Sequence, residues 1–134
     1  MGKYEPLTKF ISEWSSIEDI YTVHDAIYAF CGAHPEEGYN SYREILEAAG
    51  IAWDRATMVG TDVSVLEGRI VIALLLGACR AERFCDDAFR DLADSGAILR
   101  WLERLREIDT AEAGGCETVC GGMKKTLLDP PAKG

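Results

Sequence analysis

Nine consecutive residues, Val71-Ile72-Ala73-Leu74-Leu75-Leu76-Gly77-Ala78-Cys79, carry no charged side chain and no amide or hydroxyl. A helix built from them has no polar face, so its neighbours must cover it on every side. At about half the ~20 residues that a bilayer requires, the run from Ile70 to Cys79 is not a membrane span. It reads as the central helix of a bundle, with Ala73, Gly77 and Ala78 letting neighbouring helices approach closely.

The rest of the chain supplies those neighbours. No proline occurs between Pro35 and Pro130, and apolar residues through that interval recur at helical spacing. The spacing predicts a first helix over Pro6 to Trp14, with Leu7, Phe10, Ile11 and Trp14 on one face. A second runs from about Asp19 to Cys31 and buries Ile20, Val23, Ile27 and Phe30 or Cys31. A third starts near Asn40 or Ser41, buries Tyr42, Ile45, Leu46 and Ala49, and ends at Gly50, which suits a left-handed cap. A short helix is allowed between residues 51 and 63. Ser64 with Glu67 reads as a capping box, or Asp62 as a cap, opening a central helix that extends to about Arg83. A fifth helix covers Cys85 to Asp94 and a sixth Ala97 to Ile108, the latter burying Ile98, Trp101, Leu102 and Leu105.

The expected fold is therefore all-α: a bundle of five to six helices around a buried central one. Residues 1–109 form the domain. Residues 110–134, with Gly114-Gly115, Gly121-Gly122 and Pro130-Pro131, read as a flexible tail.

Composition narrows the function classes. The net charge of −9 repels phosphate backbones, so no nucleic-acid partner is expected. The N-terminus lacks the apolar run of a secretory signal, no membrane segment is expected, and the reading is cytoplasmic. Five cysteines do not make a disulfide framework; Cys31, Cys79 and Cys85 fall in apolar patterns and read as reduced, buried thiols.

The densest polar group is Arg80-Ala81-Glu82-Arg83-Phe84-Cys85-Asp86-Asp87, where charge emerges directly from the apolar helix. Were helix to continue through it, Glu82 and Asp86 would share a face, as would Arg83 and Asp87. The simpler reading is a salt-bridge and capping network joining two helices, with Phe84 and Cys85 in the core. The alternative is a ligand site formed by Arg80, Glu82, Arg83 and Asp86. A metal at Glu82 and Asp86 would need further ligands, with His24 and His34 the only histidine candidates, and none is assigned. Cys116 and Cys120 lack the second ligand pair of a zinc site. His24 reads as a core or boundary residue and His34 as part of an exposed turn. Tyr39, Tyr42, Trp53 and Met58 are candidates to line a groove or, more simply, to fill the core. No nucleophile motif, phosphate loop or dinucleotide fingerprint is present, and no cofactor is expected.

The run from Arg80 to Asp86, followed by Gly96-Ala97-Ile98 and then Trp101-Leu102-Glu103-Arg104-Leu105, resembles a family of small bacterial proteins of unknown function. Its members carry an Arg-Gly/Ala-Glu-Arg-Phe-Cys-Asp segment and a later Leu-x-Arg-Leu. Asp87 stands where many of them have glycine, which leaves a tight turn there unsupported. The resemblance implies the helical fold and no activity. An acidic, motif-poor helical domain reads best as a protein-interaction or regulatory module acting on a partner protein or its own copy. The alternatives are a small-ligand or anion-binding protein, or an enzyme of unrecognised type, using the Arg80 to Asp87 cluster.

Overall fold

The computed structural model describes residues 2–115 and contains seven α-helices and no strand among them. The elements are α1 (Glu5–Thr8), α2 (Tyr21–Ala33), α3 (Tyr42–Ala48), α4 (Arg55–Gly60), α5 (Gly68–Ala81), α6 (Ala88–Asp94) and α7 (Ala97–Gly115), with short 3-10 turns between several of them.

The apolar segment lies in α5, where every residue from Val71 to Cys79 is buried. Helices α2, α3, α6 and α7 pack around it, and α1 closes the far side against α2 and α7. Ile72, Leu74, Leu75 and Leu76 are wholly enclosed by these neighbours, each such side chain contributing about 1.5–3 kcal/mol relative to exposure. No helix among the described residues is long and apolar enough to cross a membrane.

Local chemistry explains where the helices differ from expectation. The first is a single turn, Glu5–Thr8, and its remaining length becomes loose turns with a 3-10 segment at Trp14–Ser16. The Ser64–Glu67 capping box does not form. Asp62 instead accepts from the Ser64 backbone N–H at 3.0 Å and caps a 3-10 turn over Val63–Val65, so that α5 begins four residues later than Ser64. At the end of α3 the expected left-handed cap is present: Gly50 has φ +79° and the Ile51 N–H bonds the Leu46 carbonyl at 2.9 Å. Helix α7 passes Ile108 and continues to Gly115, while the greater part of the expected tail, with Cys116 and Cys120, lies outside the described residues.

The N-terminal segment is anchored on α7, where the Tyr4 N–H donates to the Asp109 carboxylate at 3.0 Å. The Tyr4 ring packs so close to α5 that a methyl group at Gly68 would collide with it. Two more ties hold the end of α4 and the connection before α5 to α7: the Arg100 guanidinium donates to the Val59 carbonyl at 2.6 Å and that of Arg104 to the Leu66 carbonyl at 3.0 Å.

Because Leu75 is enclosed on all sides, Leu75→Ala should cost about 2–5 kcal/mol in unfolding free energy. Urea denaturation measures it, and a loss under 1 kcal/mol would mean that α5 is not the centre of the packing.

Candidate functional site

Helix α5 ends at Ala81, two residues short of Arg83, and α6 begins only at Ala88. The expected fifth-helix start at Cys85 is corrected by the backbone of Asp87, whose φ of +67° places it in the left-handed region and turns the chain. Asp87 thus makes the tight turn a glycine would make, and aspartate is among the few other residues that tolerate it.

Glu82 organises this reversal. Its carboxylate accepts the backbone N–H groups of Asp87 and Phe89, each at 2.9 Å, and the Tyr21 hydroxyl at 3.2 Å. Two N–H groups at the start of α6 are thereby satisfied by a side chain from the end of α5. Burial pushes the Glu82 carboxyl upward, but the N–H groups of Phe89 and Asp87 and the Tyr21 hydroxyl outweigh it and hold the group below its ordinary range. Burial and the bond to Glu82 in turn raise the Tyr21 phenol.

The other charges of the cluster go separate ways. Arg80 lays its guanidinium over the Tyr28 ring at 5.7 Å, with its Nε buried and without a hydrogen-bond acceptor among the described residues. Arg83 is exposed, and the expected Arg83–Asp87 pair does not form; Asp87 faces Arg90 at 3.8 Å instead. Arg80, Glu82, Arg83 and Asp86 therefore do not converge on one pocket. Phe84 and Cys85, expected in the core, are exposed, with Phe84 78% accessible.

What this turn creates is a cleft. Phe84, thrown outward, forms one wall of an open cavity of about 500 Å³ between α4 and the α5–α6 turn. Trp53 forms the other wall, its ring edge-on to Phe84 at 5.9 Å between centroids. Ala81, Ala88, and buried Met58 and Leu92, add to the apolar lining. Trp53 is held firmly: its indole N–H donates to the Gly77 carbonyl at 3.0 Å, Arg43 lies over its ring at 4.8 Å and Tyr42 meets it edge-on. Gly77 makes that approach possible, since a Cβ there would sit 3.1 Å from the indole nitrogen.

Around the rim stand Asp54, Asp86, Asp87 and Asp91 with a single base, Arg55, which pairs with Asp91 across the α4–α6 gap. Of the residues singled out from the sequence, Trp53, Met58, Phe84, Cys85, Asp86 and Asp87 line this cleft. Arg80, Glu82 and Arg83 lie outside its lining, and Tyr39 and Tyr42 are buried in the core.

Half-buried His24 packs edge-on to Phe89 and Tyr28, and its Nδ1 lies 3.1 Å from exposed Asp25. His34 places Nδ1 2.9 Å from the Phe30 carbonyl at the end of α2. Burial raises the Cys31 thiol to about 11 and lifts buried Cys79 well above its usual value, whereas Cys85 is exposed at the cleft. No group of three or more His, Cys, Asp or Glu side chains placed to hold a metal occurs among the described residues.

The described residues thus form an all-α bundle with an apolar cleft beside the exit of its central helix. Residues 53–111 match the model of a family of unknown function, DUF6508, and every residue lining the cleft falls within that segment. No curated protein and no solved structure matches the chain.

If Glu82 is the cap that joins α5 to α6, Glu82→Gln should lower stability by about 1–2 kcal/mol at pH 7, because its amide nitrogen cannot accept an N–H. A carboxyl lowered in the folded state contributes stability that is complete above its unfolded pKa of about 4.3 and is lost as pH falls through the folded value. The gap between wild type and variant should therefore close on acidification. Urea midpoints from pH 7 to pH 3 test this, and a gap of the same size at both ends would contradict it.

Proposed function

We propose that this protein is an interaction module that docks a segment of a partner protein in the cleft between Trp53 and Phe84. The observation that carries the reading is Phe84, a large apolar side chain left 78% exposed at the mouth of an apolar cavity of about 500 Å³. Exposing such a ring beside Trp53 forgoes the hydrophobic stabilisation that folding normally captures, and a contiguous apolar surface of this kind is a common mark of a binding face.

The character of the cleft favours a protein over a small molecule. Small-ligand sites commonly bury 70–90% of the ligand and aim a few polar groups inward. Here the charged groups stand on the rim, the interior offers apolar surface, and one wall projects into solvent. A macromolecular partner covers both the interior and the projecting ring. A second copy of the chain is a poorer occupant, since its net charge of −9 meets an acidic rim.

Cys85 provides the test. With Cys31, Cys116 and Cys120 replaced by serine, and with Cys79 shielded by burial, a thiol-reactive photo-crosslinker placed on Cys85 reports on the cleft. In a lysate of the native host it should capture a defined protein, and Phe84→Ser should remove that adduct while shifting folding stability by less than about 0.5 kcal/mol. Absence of an adduct, or one unaffected by Phe84→Ser, would overturn the docking reading; a product of twice the protein's mass would assign the cleft to self-association.

A further inference from the structure

The charges on the rim say what kind of segment fits, given the docking reading above. Four carboxylates and one guanidinium surround an apolar interior, and the guanidinium of Arg55 is already paired with Asp91. Two of the remaining three carboxylates have structural partners. Asp54 accepts the Thr57 N–H at 2.8 Å and its hydroxyl at 3.1 Å, capping α4. Asp87 is approached by the Tyr21 hydroxyl at 3.4 Å and by Arg90. Asp86 is different: it is exposed, and its carboxylate has no side-chain or backbone partner among the described residues.

Carboxylates beside an apolar wall act with less screening than in open water, because the wall excludes solvent from one side. An approaching segment therefore gains by presenting apolar side chains to Trp53, Met58 and Phe84 and cations to the rim. An acidic or neutral apolar segment gains only the first, and it leaves the carboxylates to be desolvated without compensation.

No strand occurs among the described residues, so there is no sheet edge to pair with an incoming backbone. The surface is a groove between helices, the geometry that accepts the apolar face of an amphipathic helix anchored at i, i+3 or i+4.

We propose that the cleft is a receptor for a basic amphipathic helix, whose apolar anchors enter between Trp53 and Phe84 and whose Lys or Arg side chains meet Asp86 and its neighbours on the rim. Asp86 sets the charge preference, and Phe84 supplies the apolar contact. The specificity is one of charge sign superimposed on an apolar anchor.

The test uses random 16-residue peptides displayed on phage, selected on the wild-type protein after removal of those that bind the Phe84→Ser variant. The enriched peptides should combine spaced apolar residues with net positive charge. The tightest of them, measured by fluorescence anisotropy, should bind Asp86→Lys about tenfold or more weakly, a loss of about 1.4 kcal/mol. Glu13→Lys, an equal charge change at an exposed position outside the cleft, should alter affinity by less than about twofold. Enrichment of acidic or uncharged apolar peptides would overturn the basic preference and leave the docking reading standing. Equal weakening by Glu13→Lys and Asp86→Lys would also overturn it, by showing diffuse attraction to an acidic protein. Failure of any peptide to prefer wild type over Phe84→Ser would overturn the docking reading itself.

Discussion

The need to remove α5 from water in every direction governs this fold. A helix with one apolar stripe is content with a single neighbour, but the stretch from Val71 to Cys79 is buried throughout and has no side to spare for solvent. Helices α2, α3, α6 and α7 are where they are because that surface must be covered, and α1 with the N-terminal residues closes the gap that α2 and α7 leave. Even the short ties follow from it. Arg100 and Arg104 on α7 hold the carbonyls of Val59 and Leu66, fixing the end of α4 and the connection from which α5 departs.

The same constraint creates the problem solved at the other end. Once α5 leaves the core, the chain must reverse quickly so that α6 can return to cover it, and a reversal strands backbone N–H groups at the start of α6. The carboxylate of Glu82 satisfies two of them and also receives the hydroxyl of Tyr21 from α2, so one ionised group joins three helices. The residues between lie in the turn that this clasp closes, and Phe84 among them stands in solvent.

Much of the architecture was legible because it rests on periodicity and punctuation. The apolar block announced α5, the positions of Ile98, Trp101, Leu102 and Leu105 announced the buried face of α7, and Gly50 announced the left-handed cap of α3. The cleft was harder to read. Trp53 and Met58 were candidates for a groove, but nothing in their spacing distinguished them from Tyr39 and Tyr42, which are core. Phe84 was misplaced because extending helical phase to Arg83 carries it inward. The signal around it is mixed: under helical spacing Arg80 and Asp87 lie on its face, but so do Ala81 and Ala88. The separation of Arg80, Glu82 and Arg83 from the cleft depended on Asp87 adopting a positive φ, a choice that aspartate permits but does not announce. For this reason the i, i+4 pair expected between Arg83 and Asp87 never had the helix it required.

Trp53 belongs to both halves of the molecule. Its indole nitrogen is fastened to the backbone of the central helix at Gly77, and its ring is a wall of the cleft. A ligand that grips this ring in the folded protein has no counterpart in the unfolded chain, so occupancy and folding are thermodynamically linked: at a hundred times its dissociation constant, such a ligand adds about 2.7 kcal/mol to the unfolding free energy. Any ligand of the cleft would thus act on the stability of the core as well as on the cleft, because the indole that would grip it is fastened to the central helix.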